Sequence, residues 1–169
     1  MKKKPFHVIR SAGKEFTQDE WSEYLNSVYR GEREPITTQY GKYLFNDNDI
    51  CINYDKQEIT AKSGWFGYYV ILKFAECGNG IWVYGINYSI GTGGGGYGAE
   101  WSDTTDENVP YHGYPSEHDC KVAGWHDALE IISSHYYQRT PTAIKLRTMI
   151  EDEIKKLTCP QVVQLELFG

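Results

Sequence analysis

Three histidines and a cysteine, side chains that can bind zinc, lie close together in the chain: His112, His118, Cys120 and His126. Zinc ligands must converge in space, and the separations of six, two and six residues match no tight ligand pair. Asp119 and Asp127 are candidates to orient the histidines. We expect a histidine-containing loop followed by a helix, without a cofactor. The alternative is a zinc-dependent enzyme, or Cys120 as a nucleophile with His126 as its base, but nothing identifies an orienting group or oxyanion donors.

Two other motifs share residues with known ligand-binding loops. Residues 46–49, Asn-Asp-Asn-Asp, lack the spacing, the glycine and the closing glutamate of a calcium-binding EF-hand, and they suit a turn because their side chains bond to nearby backbone. Residues 91–96 match GxGxxG after a predicted strand, but a dinucleotide loop must open a helix. Residues 97–110 have no helical period, and Asp103, Asp106 and Glu107 among them would repel an anion. We therefore predict a turn and a flexible glycine loop.

The last seven residues, Val163–Gly169, alternate apolar and polar side chains, a pattern typical of a half-buried strand. They also contain Gln164-Leu165-Glu166-Leu167-Phe168, which resembles the Gln-Leu-x-Leu-Phe peptide by which bacterial replication and repair proteins dock on the DNA sliding clamp. Glu166 stands where Ser or Asp is usual. The resemblance implies that Gln164 enters a small polar pocket, while Leu165, Leu167 and Phe168 fill an apolar cleft. Docking peptide and structural strand both stay open.

Composition limits the classes of function. The 169 residues suffice for one domain with a core, and 14 Tyr, 5 Trp and 6 Phe make it rich in aromatic side chains. A net charge of −6 argues against direct strong binding to nucleic acid, although another protein can supply a tether to DNA. We expect free thiols in a reducing cytoplasm, and neither a signal peptide nor a membrane span. The four cysteines, without a CxxC, are Cys51, Cys77, Cys120 and Cys159.

Two alternating segments predict a β-hairpin. Bulky side chains recur at every second position of residues 66–74 and 82–90, and Gly78-Asn79-Gly80 lies between them. A three-residue loop, which sets Cys77 opposite Ile81, places both bulky sets on one face of the sheet. Glycine or asparagine supplies the left-handed residue that such a loop needs. We predict that this face carries the core. The expected pairs are Phe74 with Tyr84, Leu72 with Ile86 and Val70 with Tyr88.

The spacing of apolar residues predicts helices over about 18–30 and 121–138, and a third from Pro141 until Pro160 ends it. Thr17 and Glu20 form a capping box, and Thr140 is the expected cap of the last helix. The other expected elements are a connector at 32–41, short strands at 43–45, at 50–54 and around Ile59, and a long connection without regular structure from Gly91 to about Cys120.

This order of elements predicts an α+β fold, an antiparallel sheet built on a central hairpin at about 65–90 with helices packed on one face. Residues 1–158 are expected to form a single domain, and residues 159–169 a C-terminal tail with the docking peptide.

Besides the zinc-dependent enzyme, two functions of different class are open. The leading hypothesis is an accessory protein of a bacterium, phage or mobile element that docks on the sliding clamp through its tail and affects replication or repair. The second is an acidic, aromatic-rich inhibitor or interaction module that acts through the 91–120 loop and uses the tail as a strand. The exposed aromatic candidates of that loop are Tyr97, Trp101, Tyr111 and Tyr114.

Overall fold

The computed structural model of the chain describes residues 9–11, 14–100, 113–134 and 139–159. Its helices and antiparallel sheets confirm the expected α+β class, and none of the described helices has the length and apolar character needed to cross a membrane. The helices are α1 (Gln18–Tyr29), α2 (Glu117–Ser134) and α3 (Pro141–Thr158). The strands are β1 (Ile9–Ser11), β2 (Lys14–Phe16), β3 (Thr38–Tyr40), β4 (Tyr43–Phe45), β5 (Asp55–Lys62), β6 (Tyr68–Glu76), β7 (Trp82–Ile90) and β8 (Gly93–Gly96).

Strands β5, β6, β7 and β8 form one antiparallel sheet in that order, while β1 with β2 and β3 with β4 form two separate pairs. The central hairpin of the sheet, β6 with β7, has the predicted register. The Cys77 N–H donates to the Ile81 carbonyl at 2.8 Å, and Asn79 and the two glycines beside it have positive φ. The loop therefore closes over three residues, as its glycine-rich sequence predicted. The pairs are Phe74 with Tyr84, Leu72 with Ile86 and Val70 with Tyr88.

The bulky face of the hairpin packs against two helices, which confirms the predicted core. Helix α2 lies over β6 and β7, and α3 lies beside α2 and over β5. Trp125 is fully buried, and its indole Nε1 donates to Gln57 Oε1 at 3.2 Å, so the polar atom of the ring is paired. Each large apolar side chain buried here contributes roughly 1.5–3 kcal/mol. The buried residues of this first core are Val70, Leu72, Phe74, Ile86, Ile90, Cys120, Trp125, Ala128, Ile132, Leu146, Ile150 and Ile154.

The opposite face of the sheet, near the 78–80 loop, carries a second core that the sequence did not predict. Here irregular chain, not a helix, covers the sheet. Gly98 and Ala99 cross directly above Gly85, where a Cβ atom would lie 2.2 Å from the Gly98 carbonyl carbon. Glycine at position 85 therefore permits the crossing. The buried residues of the second core are Tyr43, Phe45, Cys51, Ala75, Cys77, Val83 and Ala99.

Helix α1 begins at the predicted capping box. The Glu20 N–H donates to Thr17 Oγ1 at 3.3 Å, and the Thr17 N–H donates to Glu20 Oε2 at 2.8 Å. Tyr24 is buried, but Leu25 from the same apolar pattern is 40 % exposed, so α1 packs through a narrow stripe. Thr140 likewise caps α3, because its Oγ1 accepts the Ala143 N–H at 3.1 Å.

Two expectations about the early strands were wrong. The predicted strand at 50–54 makes only isolated bridges, because the Asn53 amide takes the place of a strand partner. Its Oδ1 accepts the Leu44 N–H at 2.6 Å and its Nδ2 donates to the Lys42 carbonyl at 2.7 Å. The predicted connector at 32–41 contains β3, and the short strand around Ile59 extends over all of β5. The turn at 46–49 did form as predicted, with Asn46 Oδ1 accepting two backbone N–H groups at 3.0 Å.

The long connection was also predicted wrongly in part. The run of glycines at 93–96 is strand β8, and it lies so close to β7 that a Cβ at Gly96 would be 2.4 Å from the Ile86 carbonyl oxygen. Helix α2 begins at Glu117, four residues before its predicted start, because Ser116 Oγ accepts the Asp119 N–H at 3.0 Å. Phe66 precedes β6 and is 51 % exposed, outside the core face assigned to it.

We predict that Gly85→Ala lowers the free energy of unfolding by about 2–3 kcal/mol, because the added methyl group overlaps backbone that has no room to move. Gly80→Ala is the control, since it strains a positive φ but meets no atom within 4 Å, and we expect it to cost about 1 kcal/mol. Urea unfolding of both variants measures the difference. An equal cost for the two substitutions would contradict the crossing of residues 98–99 over β7.

Candidate functional site

The four anchor residues of the expected docking peptide, Gln164, Leu165, Leu167 and Phe168, lie outside the described residues. The structure does describe the helix that leads to them. Helix α3 ends at Cys159, whose backbone is extended (φ −74°, ψ 125°) and whose N–H donates to the Lys155 carbonyl at 2.8 Å. The side chain of Cys159 is exposed.

The basic side chains at the end of α3 already have acidic partners. Lys155 Nζ lies 3.3 Å from Asp152 Oδ1, and Lys156 Nζ lies 3.2 Å from Glu153 Oε2. Both lysines are largely exposed, so each pair contributes little to stability, but it cancels the local charge. The end of α3 is therefore a solvated and nearly neutral surface.

Helix α2 does not bring the candidate zinc ligands together. Cys120 is fully buried in the first core, whereas His118 and His126 are exposed. At about 100° per residue, both histidines point well away from the cysteine. His112 lies outside the described residues, and within the described ranges no group of three or more His, Cys, Asp or Glu could hold a metal ion.

The buried thiols are poor nucleophiles. Burial, with smaller contributions from Cys77 and Glu117, raises the pKa of Cys120 to about 12. Burial also raises the pKa of Cys77 to about 12 and that of Cys51 to about 11. Because the thiolate is the reactive form, these three cysteines behave at neutral pH as small apolar side chains.

Asp127, a candidate to orient a histidine, binds two tyrosines instead. Its Oδ2 accepts a hydrogen bond from the Tyr84 hydroxyl at 3.2 Å and another from the Tyr97 hydroxyl. Burial, and next the carboxylate itself, raise the pKa of both phenols, so the tyrosines remain neutral donors. Tyr114 packs against Tyr84, with ring centroids 5.7 Å apart. This tyrosine cluster (Tyr84, Tyr97, Tyr114 and Asp127) ties α2 to the edge of the sheet.

The tyrosine cluster corrects the expected binding surface at residues 91–120. Tyr97 and Tyr114, predicted as exposed aromatic side chains, are half-buried against the first core. Trp101 and Tyr111 lie outside the described residues. Among the described residues, exposed aromatic side chains lie at the end of α1, where Tyr29 is 93 % exposed, and at the β5–β6 turn, where Trp65 is 93 % exposed beside Phe66. Alternation alone assigned Phe66 to the core and gave no signal for Trp65.

Lys73 is a buried cation that sequence analysis missed. It is 8 % exposed on the second face of the sheet, where its Nζ donates to the Tyr97 carbonyl at 3.2 Å and lies 5.3 Å from the centroid of the Tyr54 ring. Burial lowers the pKa of this amine. A carbonyl and an aromatic face satisfy a buried ammonium without a carboxylate. These contacts hold the segment at residues 97–99 that crosses above Gly85.

A groove of about 520 Å³ lies beside α1. Its floor is aromatic: Phe16 and Tyr24 lie there, with ring centroids 5.8 Å apart. The Tyr24 hydroxyl donates to Asp47 Oδ2 at 3.0 Å and accepts the Ile36 N–H at 2.7 Å, which holds the connector against the helix. The groove is lined by Phe16, Asp19, Glu20, Glu23, Tyr24, Ser27 and Arg33.

Comparison with known proteins identified no relative of the chain. A scan against protein-family models and searches of curated proteins and of solved structures found no match to the chain. Function is therefore inferred from the residues of this chain.

We predict that Asp127→Asn lowers the free energy of unfolding by about 1–3 kcal/mol, because the two tyrosine hydroxyls lose a charged acceptor. Tyr97→Phe removes one donor, and a double-mutant cycle with Asp127→Asn measures the coupling between them in urea unfolding. We expect a coupling of about 1 kcal/mol. Strictly additive costs would contradict the hydrogen bond.

Because these thiols are buried, we predict that the free energy of unfolding falls in alkali. A thiol with a raised pKa in the folded chain contributes stability that is complete below the unfolded pKa, near 9, and is lost as the pH rises towards about 12. Between pH 9.5 and 11 the free energy of unfolding should fall with rising pH. In Cys120→Ala this slope should be smaller by about 1.4 kcal/mol per pH unit. Cys159→Ala is the matched control, because its thiol is exposed. Urea titrations under reducing conditions measure both slopes, and parallel slopes would contradict the burial of an un-ionised thiol.

Proposed function

We propose that this chain is an accessory protein that docks on the bacterial DNA sliding clamp through Gln164, Leu165, Leu167 and Phe168, and so affects replication or repair. The observation that carries the proposal is the match of these four residues, in order and spacing, to the clamp-binding peptide. A glutamine and three apolar side chains suit one polar pocket and one apolar cleft. Such anchors carry most of the energy in peptide recognition.

The position of α3 determines where the tail leaves the domain. Helix α2 starts at the end of the sheet near the 78–80 loop, since Lys121 Nζ lies 4.4 Å from the centroid of the Phe74 ring, and it runs past Gln57. The connection at 135–140 is short, which favours an antiparallel α3 that returns towards the Asp55 end of β5. In that arrangement the tail would start near the loop end of the sheet.

The length of the tail limits how far the domain stands from the clamp. Four residues separate Cys159 from Gln164, and a fully extended chain covers about 17 Å over that interval. A docked tail would thus hold the domain against the clamp surface. The domain would then block other proteins from the same cleft, or keep a second binding surface close to replicating DNA.

Calorimetric titration with purified clamp tests the proposal. We expect the intact chain to bind, and Leu167→Ala with Phe168→Ala to weaken binding at least about 30-fold, because the loss of even one such anchor costs about 2 kcal/mol. Glu166→Ala is the matched control, since the middle position of the motif is variable, and it should bind nearly as well as the intact chain.

Two results would contradict the proposal: no binding by the intact chain, or equal binding by the double variant. A companion measurement addresses the tail as a structural strand. Removal of residues 164–169 should leave the urea unfolding curve unchanged if the tail serves a partner, whereas a loss of several kcal/mol would assign it to the domain's own sheet.

A further inference from the structure

The turn between β5 and β6 exposes two large aromatic side chains next to each other. Trp65 is 93 % exposed and Phe66 is 51 % exposed. Together the two rings leave roughly 300 Å² of apolar surface in water, given the usual area of such side chains. Contiguous apolar patches of this size on a folded chain often mark sites of interaction.

The backbone that carries these two rings is held in place. The Gly67 carbonyl accepts the Gly91 N–H and the Ser89 hydroxyl, both at 2.9 Å, which ties the turn to the β7–β8 connection. Gly64 has a φ of 100°, a conformation that glycine adopts without strain. Because the turn is already ordered, a partner that buries Trp65 has to order side chains rather than backbone.

The turn lies in a part of the chain that is almost free of acidic residues. The chain carries 23 Asp and Glu, yet between Glu58 and Glu100 the sequence has only one, Glu76. Glu76 ends β6, about 27 Å from the start of that strand beside the turn. Glu58 lies about 13 Å from Lys62 along β5 at the usual rise per residue. The strands that carry the turn therefore hold their carboxylates away from the two rings.

Lys62 supplies a positive charge three residues before Trp65. It is exposed, and within the part of the chain that the structure describes its ammonium group has no ion pair or hydrogen bond. The turn thus presents apolar surface beside an unpaired cation. The ligand that complements this surface is apolar, with negative charge at its edge.

Tyr29 shows that exposure alone does not give this combination. It is also 93 % exposed, but it ends α1, whose first turns carry three acidic residues. The neighbouring cation, Arg30, already pairs with Glu23 at 3.4 Å and with Glu32 at 2.7 Å. An acidic ligand is therefore attracted at the β5–β6 turn and not at Tyr29.

We propose that the β5–β6 turn is a docking surface for an acidic peptide segment of another protein, with Trp65 and Phe66 as apolar anchors and Lys62 paired with a carboxylate. This surface goes beyond the proposed docking on the clamp and does not depend on the tail. Few anchors carry most of the binding energy in such contacts, and tryptophan is frequent among them.

Charge disfavours the other ligands that bind exposed tryptophans. Anionic lipid surfaces attract clusters of four or more basic side chains, whereas this turn has a single lysine in a chain of net charge −6. Nucleic acid likewise requires several basic contacts to its phosphates. One lysine suffices for one carboxylate of a peptide.

Selection of a random peptide library displayed on phage against the intact chain tests the proposal. We expect the enriched peptides to combine aromatic or aliphatic residues with Asp or Glu, and synthetic copies to bind in calorimetric titrations. Trp65→Ala should weaken their binding at least about 30-fold, as the loss of one anchor does. Lys62→Gln should weaken it about two- to fivefold, the effect of one exposed ion pair. Tyr29→Ala is the matched control and should bind as the intact chain does.

Three results would overturn the proposal. The first is no enrichment over an unrelated protein, and the second is equal binding of the peptides by Trp65→Ala, whose fold is checked by urea unfolding. The third is sedimentation with phosphatidylcholine or phosphatidylglycerol vesicles that is lost in Trp65→Ala, which would assign the turn to a lipid surface. Leu167→Ala with Phe168→Ala should retain peptide binding, so failure at this turn is distinguishable from failure of clamp docking.

Discussion

The close approach of α2 to the central hairpin sets the geometry of the domain. Gly124 faces Leu72, and a Cβ at that position would lie 2.4 Å from Leu72 Cδ1. A side chain at position 124 would require Leu72 to shift and would press on the Tyr84 ring, so glycine permits the close approach of the helix. At this separation Trp125 reaches Gln57 on β5, and Asp127 reaches the tyrosines on and beyond β7. One missing side chain thus permits the contacts that seal the first core and fix the edge of the sheet.

Tyr97 connects the two faces of that sheet. Its backbone pairs with Ile86 through two hydrogen bonds, 2.8 and 3.1 Å, so its side chain lies on the helix face and reaches Asp127. Its carbonyl accepts the ammonium of Lys73, which is buried on the opposite face. The chain then crosses above Gly85 and reaches the second core at Ala99. A single residue thus makes hydrogen bonds on both faces of the sheet.

The parts of this fold that follow from local pattern were predictable, and those that depend on distant partners were not. Alternation and loop length fixed the β6–β7 register, and capping residues fixed the starts of α1 and α3, because each depends on neighbours in sequence. The burial of Lys73 depends on Tyr54 and Tyr97, which are distant in the chain. The glycines of β8 led to the prediction of a flexible loop. Their missing side chains instead allow the strand to pack closely against β7. Asp127 was noticed as a hydrogen-bond acceptor, but its partners became apparent only once the sheet edge was assembled.

The proposed tether also decides which surface of the domain is left for a second partner. If α3 returns antiparallel to α2, the tail would start near the Asp55 end of β5, and that strand is about 26 Å long at the usual rise per residue. Trp65 lies in the turn beyond its other end and is 93 % exposed. A domain held by its tail would therefore present Trp65 away from the clamp. Because the chain carries a net charge of −6, phosphate backbone is a poor candidate for that outward surface, whereas an exposed tryptophan is a common anchor between proteins. Charge and geometry together thus favour a domain that brings a second protein to the clamp, or keeps one away, over a domain that grips DNA itself.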